Sequence, residues 1–104
     1  MSAPKSHLVL SRRARNDYRD IEAYTMEQWD ERQWVSYEAD LAQALDTIAE
    51  HPEVGRRRPE LGPDTRSLVV REHVIYYRIS DDRIQVLRIV HGRSDPRRAL
   101  RTRG

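Results

Sequence analysis

Arg66-Ser67-Leu68-Val69-Val70-Arg71, Ile75-Tyr76-Tyr77-Arg78-Ile79 and Ile84-Gln85-Val86-Leu87-Arg88-Ile89-Val90-His91 decide the fold of this chain. The three runs collect nearly all its β-branched and aromatic weight and are separated by polar turn residues, so they read as a three-stranded antiparallel meander. If Asp81 and Asp82 form the tip of a two-residue hairpin, Ile79 faces Ile84 and Tyr77 faces Val86 on one side. Tyr76 then faces Leu87, and Val74 faces Ile89, on the other. Such runs leave no wet face, and the sheet needs two covers.

The segment before the meander supplies one of them. His7-Leu8-Val9-Leu10 reads as a short first strand, and Ser11 as the N-cap of a helix that carries Ala14, Tyr18, Ile21 and Tyr24 or Thr25 at helical spacing. A second helix starts at Asp30, with Gln33 as capping-box partner and Trp29 placed to staple onto Trp34. Trp29 and Trp34 would also suit an interface hot spot, but the staple accounts for both locally. Trp34, Tyr37, Leu41, Leu45 and Ile48 form the apolar stripe, which stops where Pro52 disfavours further helix. Two amphipathic helices joined by so short a linker form an antiparallel hairpin whose shared stripe covers one face of the meander. Three prolines, two glycines and Arg56-Arg57-Arg58 make 52–65 a loop. The expected class is therefore α+β: an N-terminal strand, a helical hairpin and a mainly antiparallel sheet, in the order β-α-α-β-β-β. One domain spans 1–104, with its core at about 7–95 and a basic tail at 96–104 that only Ala99 and Leu100 could pin.

Composition narrows the function classes. The 104 residues suffice for one core that buries roughly two thirds of the unfolded surface. Cysteine is absent, which rules out disulfides, a thiolate nucleophile and cysteine zinc sites and suits a reducing cytoplasm. Met1 to His7 has no signal-peptide apolar core, and no run approaches the ~20 residues needed to span a bilayer, so no membrane role is expected. Nineteen Lys and Arg oppose seventeen Asp and Glu, and Lys5 is the only lysine, so the positive charge is almost wholly guanidinium. Guanidinium suits bidentate contact with phosphate or carboxylate. Acids dominate Asp30 to Glu50; Arg12, Arg13, Arg15 and Arg19, then Arg56 to Arg58, then Arg93, Arg97, Arg98, Arg101 and Arg103 make three basic clusters. They fit an anionic partner, or equally an arginine-rich composition with solvated charge runs.

No metal or cofactor site is expected. His7, His51, His73 and His91 are scattered, and no HExxH, glycine-rich phosphate loop or GxSxG occurs. What remains is a metal-free arginine and histidine surface of the kind small ribonucleases use. His91, at the end of the last strand, and Arg66, at the start of the second strand, could converge on one sheet edge as base and phosphorane-stabilising arginine. With no carboxylate or tyrosine beside His91, a solvent-exposed histidine is the plainer account.

Leu10-Ser11 followed by Ala14-x-x-Asp17-Tyr18-x-x-Ile21-x-x-Tyr24, then His51-Pro52-x-x-Gly55, Arg66, Tyr77-Arg78-Ile79 and Ile89-Val90-His91-Gly92-Arg93-x-Asp95 resemble the ParE/RelE superfamily of bacterial type II toxin-antitoxin toxins over about Leu8 to Asp95. The resemblance implies a helical hairpin on an antiparallel sheet. It also implies a cytoplasmic toxin neutralised by a cognate antitoxin whose disordered C-terminal segment folds around helices and sheet, with contacts expected at Tyr18, Trp34, Tyr37, Tyr76 and Leu87. An apolar sheet face left over by the hairpin is where that segment would dock. RelE-like members look like ribosome-dependent mRNA endonucleases, and ParE-like members poison DNA gyrase and block replication. Tyr77 is the last tyrosine and Gly92 follows His91, so the ending looks more like ParE. On that reading the chain is a gyrase poison rather than a catalyst, with Arg58, Arg66, His91 and Arg93 contacting the target. The alternatives are a metal-free endoribonuclease using His91 and Arg66, and a degenerate antitoxin-binding module with no active target.

Overall fold

The computed structural model describes residues 7–101. The leader reading of Met1 to Ser6, and Arg103 of the third basic cluster, lie outside the described residues. Strand β1 (His7–Leu10) ends at Ser11, which caps helix α1 (Arg12–Gln28) by accepting the Ala14 N–H at 3.0 Å. The same hydroxyl donates to the Leu87 carbonyl at 2.9 Å, so one side chain starts the helix and ties it to the sheet. Helix α1 buries Ala14, Asp17, Ile21 and Thr25; Thr25 and not Tyr24 completes the stripe.

Helix α2 (Glu31–Glu50) begins where Asp30 accepts the Gln33 N–H at 2.8 Å, and it buries Trp34, Tyr37, Leu41, Ala44 and Ile48, with Leu45 half-buried. The expected Trp29–Trp34 staple does not form. Trp29 is 69% exposed because it closes α1, its N–H bonded to the Thr25 carbonyl, while Trp34 packs edge-on against Tyr18 with ring centroids 5.7 Å apart.

Five strands form one sheet in the order β1-β5-β4-β3-β2, made of β2 (Arg56–Arg57), β3 (Thr65–Val70), β4 (His73–Ser80) and β5 (Arg83–His91) with β1. The first strand is parallel to β5 and the other pairs are antiparallel. The segment expected as a plain loop contains β2, which pairs with Ser67 and Arg66, and two 3₁₀ turns, Pro52–Val54 and Pro59–Leu61. Two anchors explain its order. The buried Tyr77 hydroxyl donates to the Pro52 carbonyl at 2.7 Å and accepts the Gly55 N–H at 2.8 Å, and Arg66 donates to the Glu53 and Gly55 carbonyls at 3.1 and 2.8 Å.

The β4–β5 register follows expectation from the tip to Tyr77 opposite Val86 and then shifts by one. Leu87 is the extra residue of a β-bulge, so Tyr76 faces Arg88, Ile75 faces Ile89 and His73 faces His91, in place of the expected Tyr76–Leu87 and Val74–Ile89 pairs. The helices cover the face carrying Ile75, Tyr77, Ile84, Val86 and Ile89, and each such side chain contributes about 1.5–3 kcal/mol by burial.

The chain itself largely covers the second face. Val74, Tyr76 and Ala99 are buried outside the main core cluster. Helix α3 (Pro96–Leu100), which starts at Asp95, touches both β5 and the second 3₁₀ turn and so lies across the sheet between them. The expectation of a bare apolar sheet face is therefore corrected: Tyr76 is 3% exposed, and this face also carries Arg58, Arg78 and Arg88. Among the described residues, the large apolar side chains left in solvent are Tyr24, Met26, Trp29 and Val35 on the two helices and their connection, with Val54 and Val69.

Candidate functional site

Each sequence-derived candidate has a definite place. Arg58, following β2, pairs with Glu60 at 2.8 Å, reaches the Ser67 hydroxyl at 3.3 Å and lies over the Tyr76 ring with its guanidinium carbon 5.7 Å from the centroid. Arg66 spends one guanidinium nitrogen on two backbone carbonyls; the group organises the 53–55 turn. His91 is exposed at the end of β5, its Nδ1 accepting the Arg93 N–H at 3.1 Å, and Arg93 itself is exposed.

The expected convergence of His91 and Arg66 is contradicted by the register. His91 sits opposite His73, whereas Arg66 sits opposite Tyr77, four residues or about 13 Å further along β4. His91 instead meets His73, which in turn meets Tyr37. The His73 and His91 rings meet edge to face with centroids 5.6 Å apart, Tyr37 stands edge-on to His73 at 5.5 Å, and the Tyr37 hydroxyl hydrogen-bonds His73 Nδ1. Burial and, after it, the His91 charge hold His73 below the usual histidine range; burial also raises Tyr37.

Arg71 closes this corner. It turns the chain from β3 to β4 in the left-handed region, with φ 51°, which side-chain-bearing residues adopt sparingly. Its guanidinium holds the conformation by bonding Asp40 and Ser36 of α2 while lying 5.1 Å from the Tyr37 ring centroid. An open pocket of about 270 Å³ lies beside it, walled by Tyr24 and Trp29 and floored by Tyr37, Arg71 and His73.

Of the residues expected to meet an antitoxin, Trp34, Tyr37 and Tyr76 are already buried within the chain, and Tyr18 and Leu87 are half-buried. Tyr18 borders an open groove of about 450 Å³ with Leu10, Arg15 and Arg19. Its hydroxyl donates to Glu38 at 2.9 Å; burial first, and then that bond and the carboxylate charge, push its pKa up to about 12.

Asp17 was not among the expected site residues, yet it ties α1 to β5. One carboxylate oxygen accepts from Arg88 Nε at 2.7 Å and from the Ile89 N–H at 2.9 Å, and the other accepts from a terminal nitrogen of Arg88 at 2.9 Å. Arg88 in turn donates to the Ala99 carbonyl at 2.8 Å, and Arg13 donates to the Ala99 and Arg101 carbonyls at 2.9 and 3.0 Å, fastening α3. The signal was present: Asp17 falls between Ala14 and Ile21 on the buried stripe, and a carboxylate there requires a cation. No group of three or more potential metal ligands occurs among the described residues.

Comparison with known proteins places this geometry in a family. Residues 8–96 match the family described as ParE toxin of type II toxin-antitoxin system, parDE. Toxin ParE1 of Caulobacter vibrioides is 34% identical over 82 residues, 79% of this chain and 84% of that protein. Toxin ParE1 of Mycobacterium tuberculosis is 32% identical over 96 residues, 91% of this chain and 98% of that protein. Among solved structures, one described as the chromosomal ParDE TA system from P. aeruginosa superposes with a TM-score of 0.72 at 20% identity, covering 84% of this chain and 96% of that one. The toxin-antitoxin complex RelBE2 from Mycobacterium tuberculosis gives a TM-score of 0.58 at 23% identity, covering 85% of this chain and 99% of its own. These two likenesses concern the fold.

Proposed function

The chain belongs to the ParE toxin family of type II toxin-antitoxin systems, and from that premise we propose that it inhibits DNA gyrase and blocks replication until a cognate antitoxin neutralises it. The observation that carries the choice of gyrase over mRNA is the dispersal of the candidate nuclease groups. A metal-free ribonuclease needs a base and a phosphate-stabilising arginine within reach of one scissile phosphate. Here His91 and Arg66 lie on the two strands that flank β4, offset by four residues or about 13 Å along it, and the Arg66 guanidinium is bonded to backbone carbonyls. Binding through exposed guanidinium groups asks for no such convergence.

On this reading Arg93 and Arg58 contact the gyrase–DNA complex, His91 shapes the turn that presents Arg93, and Arg66 acts by holding the 53–55 turn. The antitoxin segment docks along the half-buried Tyr18 and Leu87 and the rims of Trp34, Tyr37 and Tyr76. The test is induction in a bacterial host with and without the antitoxin, followed by purified gyrase with plasmid DNA. Filamentation with a DNA damage response, and accumulation of cleaved gyrase–DNA complex, are expected. Rapid arrest of translation with cleaved mRNA and unaffected gyrase would overturn the reading.

A further inference from the structure

Twice in this chain a guanidinium is held by the same two partners, a tyrosine ring beneath it and a carboxylate beside it. Arg58 lies 5.7 Å from the Tyr76 ring centroid and pairs with Glu60, and Arg71 lies 5.1 Å from the Tyr37 ring centroid and pairs with Asp40. The ring face attracts the cation, the carboxylate accepts its N–H groups, and a planar guanidinium satisfies both at once. Where the helical hairpin turns, ring and carboxylate recur without an arginine. Tyr24 and Trp29, 64% and 69% exposed, wall the pocket of about 270 Å³ that Glu72 also lines. Glu72 is exposed, and its carboxylate makes no hydrogen bond or ion pair among the described residues. No arginine of those residues lies over the Tyr24 or Trp29 ring.

Charge decides which ligand suits this arrangement. In the exposed turn between the helices, Glu27, Asp30 and Glu31 outweigh Arg32. On the pocket floor the Arg71 charge is met by Asp40, and burial first of all holds His73 below the usual histidine range, so its ring is neutral at pH 7. A phosphate would therefore face the Glu72 carboxylate and an acidic turn, with no cation on the floor that lacks its own carboxylate. The volume also lies below the roughly 300–1,000 Å³ of sites for drug-sized ligands, and suits one long side chain. We propose that this pocket binds an arginine side chain presented by a segment of a partner protein, its guanidinium stacking on Trp29 and Tyr24 and donating to the Glu72 carboxylate. Arginine fits better than lysine because its fork stacks on a ring and meets both carboxylate oxygens, whereas an ammonium is more strongly hydrated and binds as a point charge. The site does not depend on gyrase being the target.

The experiment uses the full-length protein, labelled with ¹⁵N, and three short probes followed by NMR: acetyl-Gly-Arg-Gly-amide and the same peptide with lysine or with citrulline, the neutral isostere, in place of arginine. Saturable shifts of the Trp29 indole N–H and of the Gln33 and His73 amides are expected with the arginine peptide. Its affinity should exceed that of the citrulline peptide roughly five- to tenfold, with lysine between them. Trp29→Ala and Glu72→Gln, both at exposed positions, should each remove most of that preference, and Tyr24→Phe, which keeps the ring, should retain it. Equal affinity for the arginine and citrulline peptides would overturn the proposal, as would an undiminished preference in folded Glu72→Gln. Shifts of the same residues with inorganic phosphate in place of the arginine peptide would make the pocket an anion site and overturn it too. Concentration-dependent shifts there without any peptide would assign the pocket to a second copy of the chain, which equally overturns the partner named here.

Discussion

Asp17 shows at the level of one residue how a polar group on an apolar stripe can organise a fold. Its carboxylate neutralises Arg88 and occupies the Ile89 N–H on β5 beyond the end of β1, a donor with no strand partner there. Asp17→Ala would leave the Ile89 N–H without its acceptor and the Arg88 charge without its counter-ion, with only the Ala99 carbonyl still bonded to that guanidinium, and we expect a loss of about 3–5 kcal/mol in urea denaturation. Asp17→Asn, which keeps one acceptor for Ile89, should cost less. Tyr18 gives a second, pH-resolved test. Its folded pKa, about 12, lies above the ordinary tyrosine value of 10.0, so between these values the folded protein binds more protons than the unfolded chain. Stability from this group is therefore complete below pH 10 and declines as pH rises towards 12. Tyr18→Phe should flatten that part of the stability profile and remove the highest tyrosine absorbance step. Spacing made the apolar partners of both residues legible in the sequence, from Ala14 through Ile48. It could not reveal which distant cation or carboxylate each polar group meets, because Arg88 and Glu38 lie 71 and 20 positions away.

At the scale of elements, the sequence carried the helices, their caps, β1 and the tip of the β4–β5 hairpin, since those depend on local period and turn chemistry. It lost the register beyond Tyr77 because the bulge at Leu87 answers to long-range bonds: Ser11 donates its N–H to Val86 and its hydroxyl to Leu87, fixing β5 to the start of α1. The 52–65 segment was opaque for the same reason. It has no period, and its order is imposed by Tyr77 and Arg66 from the sheet. Gly55 is the point of closest approach, where a Cβ would lie 2.5 Å from the Tyr77 hydroxyl oxygen and 2.9 Å from the Ser67 carbonyl. Gly55→Ala must displace the buried tyrosine or open β2 from β3, and overpacking of this kind costs about 1–3 kcal/mol. The matching prediction is that Tyr77→Phe in the Gly55→Ala background costs less than in the wild type, because the clashing oxygen is gone. A double-mutant cycle by thermal or urea unfolding measures that difference.

For the whole molecule, the candidates divide into groups that build the chain and groups free to meet a target, and this division changes how toxicity should be dissected. Arg58 and Arg66 are bound to Glu60, Ser67 and the carbonyls of Glu53 and Gly55, so their removal would perturb the 53–60 segment as well as any contact. Arg93 is exposed just beyond the sheet, and only its backbone takes part in the His91 turn. Arg93→Gln is thus the cleaner probe. If binding to the gyrase–DNA complex underlies toxicity, loss of one charge-assisted contact should raise the concentration needed for inhibition roughly ten- to hundredfold. Antitoxin binding and thermal stability should stay near wild type. His91→Gln, which keeps a side-chain acceptor for the turn, should leave much of the toxicity at neutral pH. A nuclease reverses the order, because removal of a catalytic base costs about 10²- to 10⁴-fold in rate. A His91→Gln protein that folds and binds antitoxin yet is wholly non-toxic, derived from a parent that cleaves mRNA, would therefore reject gyrase as the target whatever Arg93→Gln does.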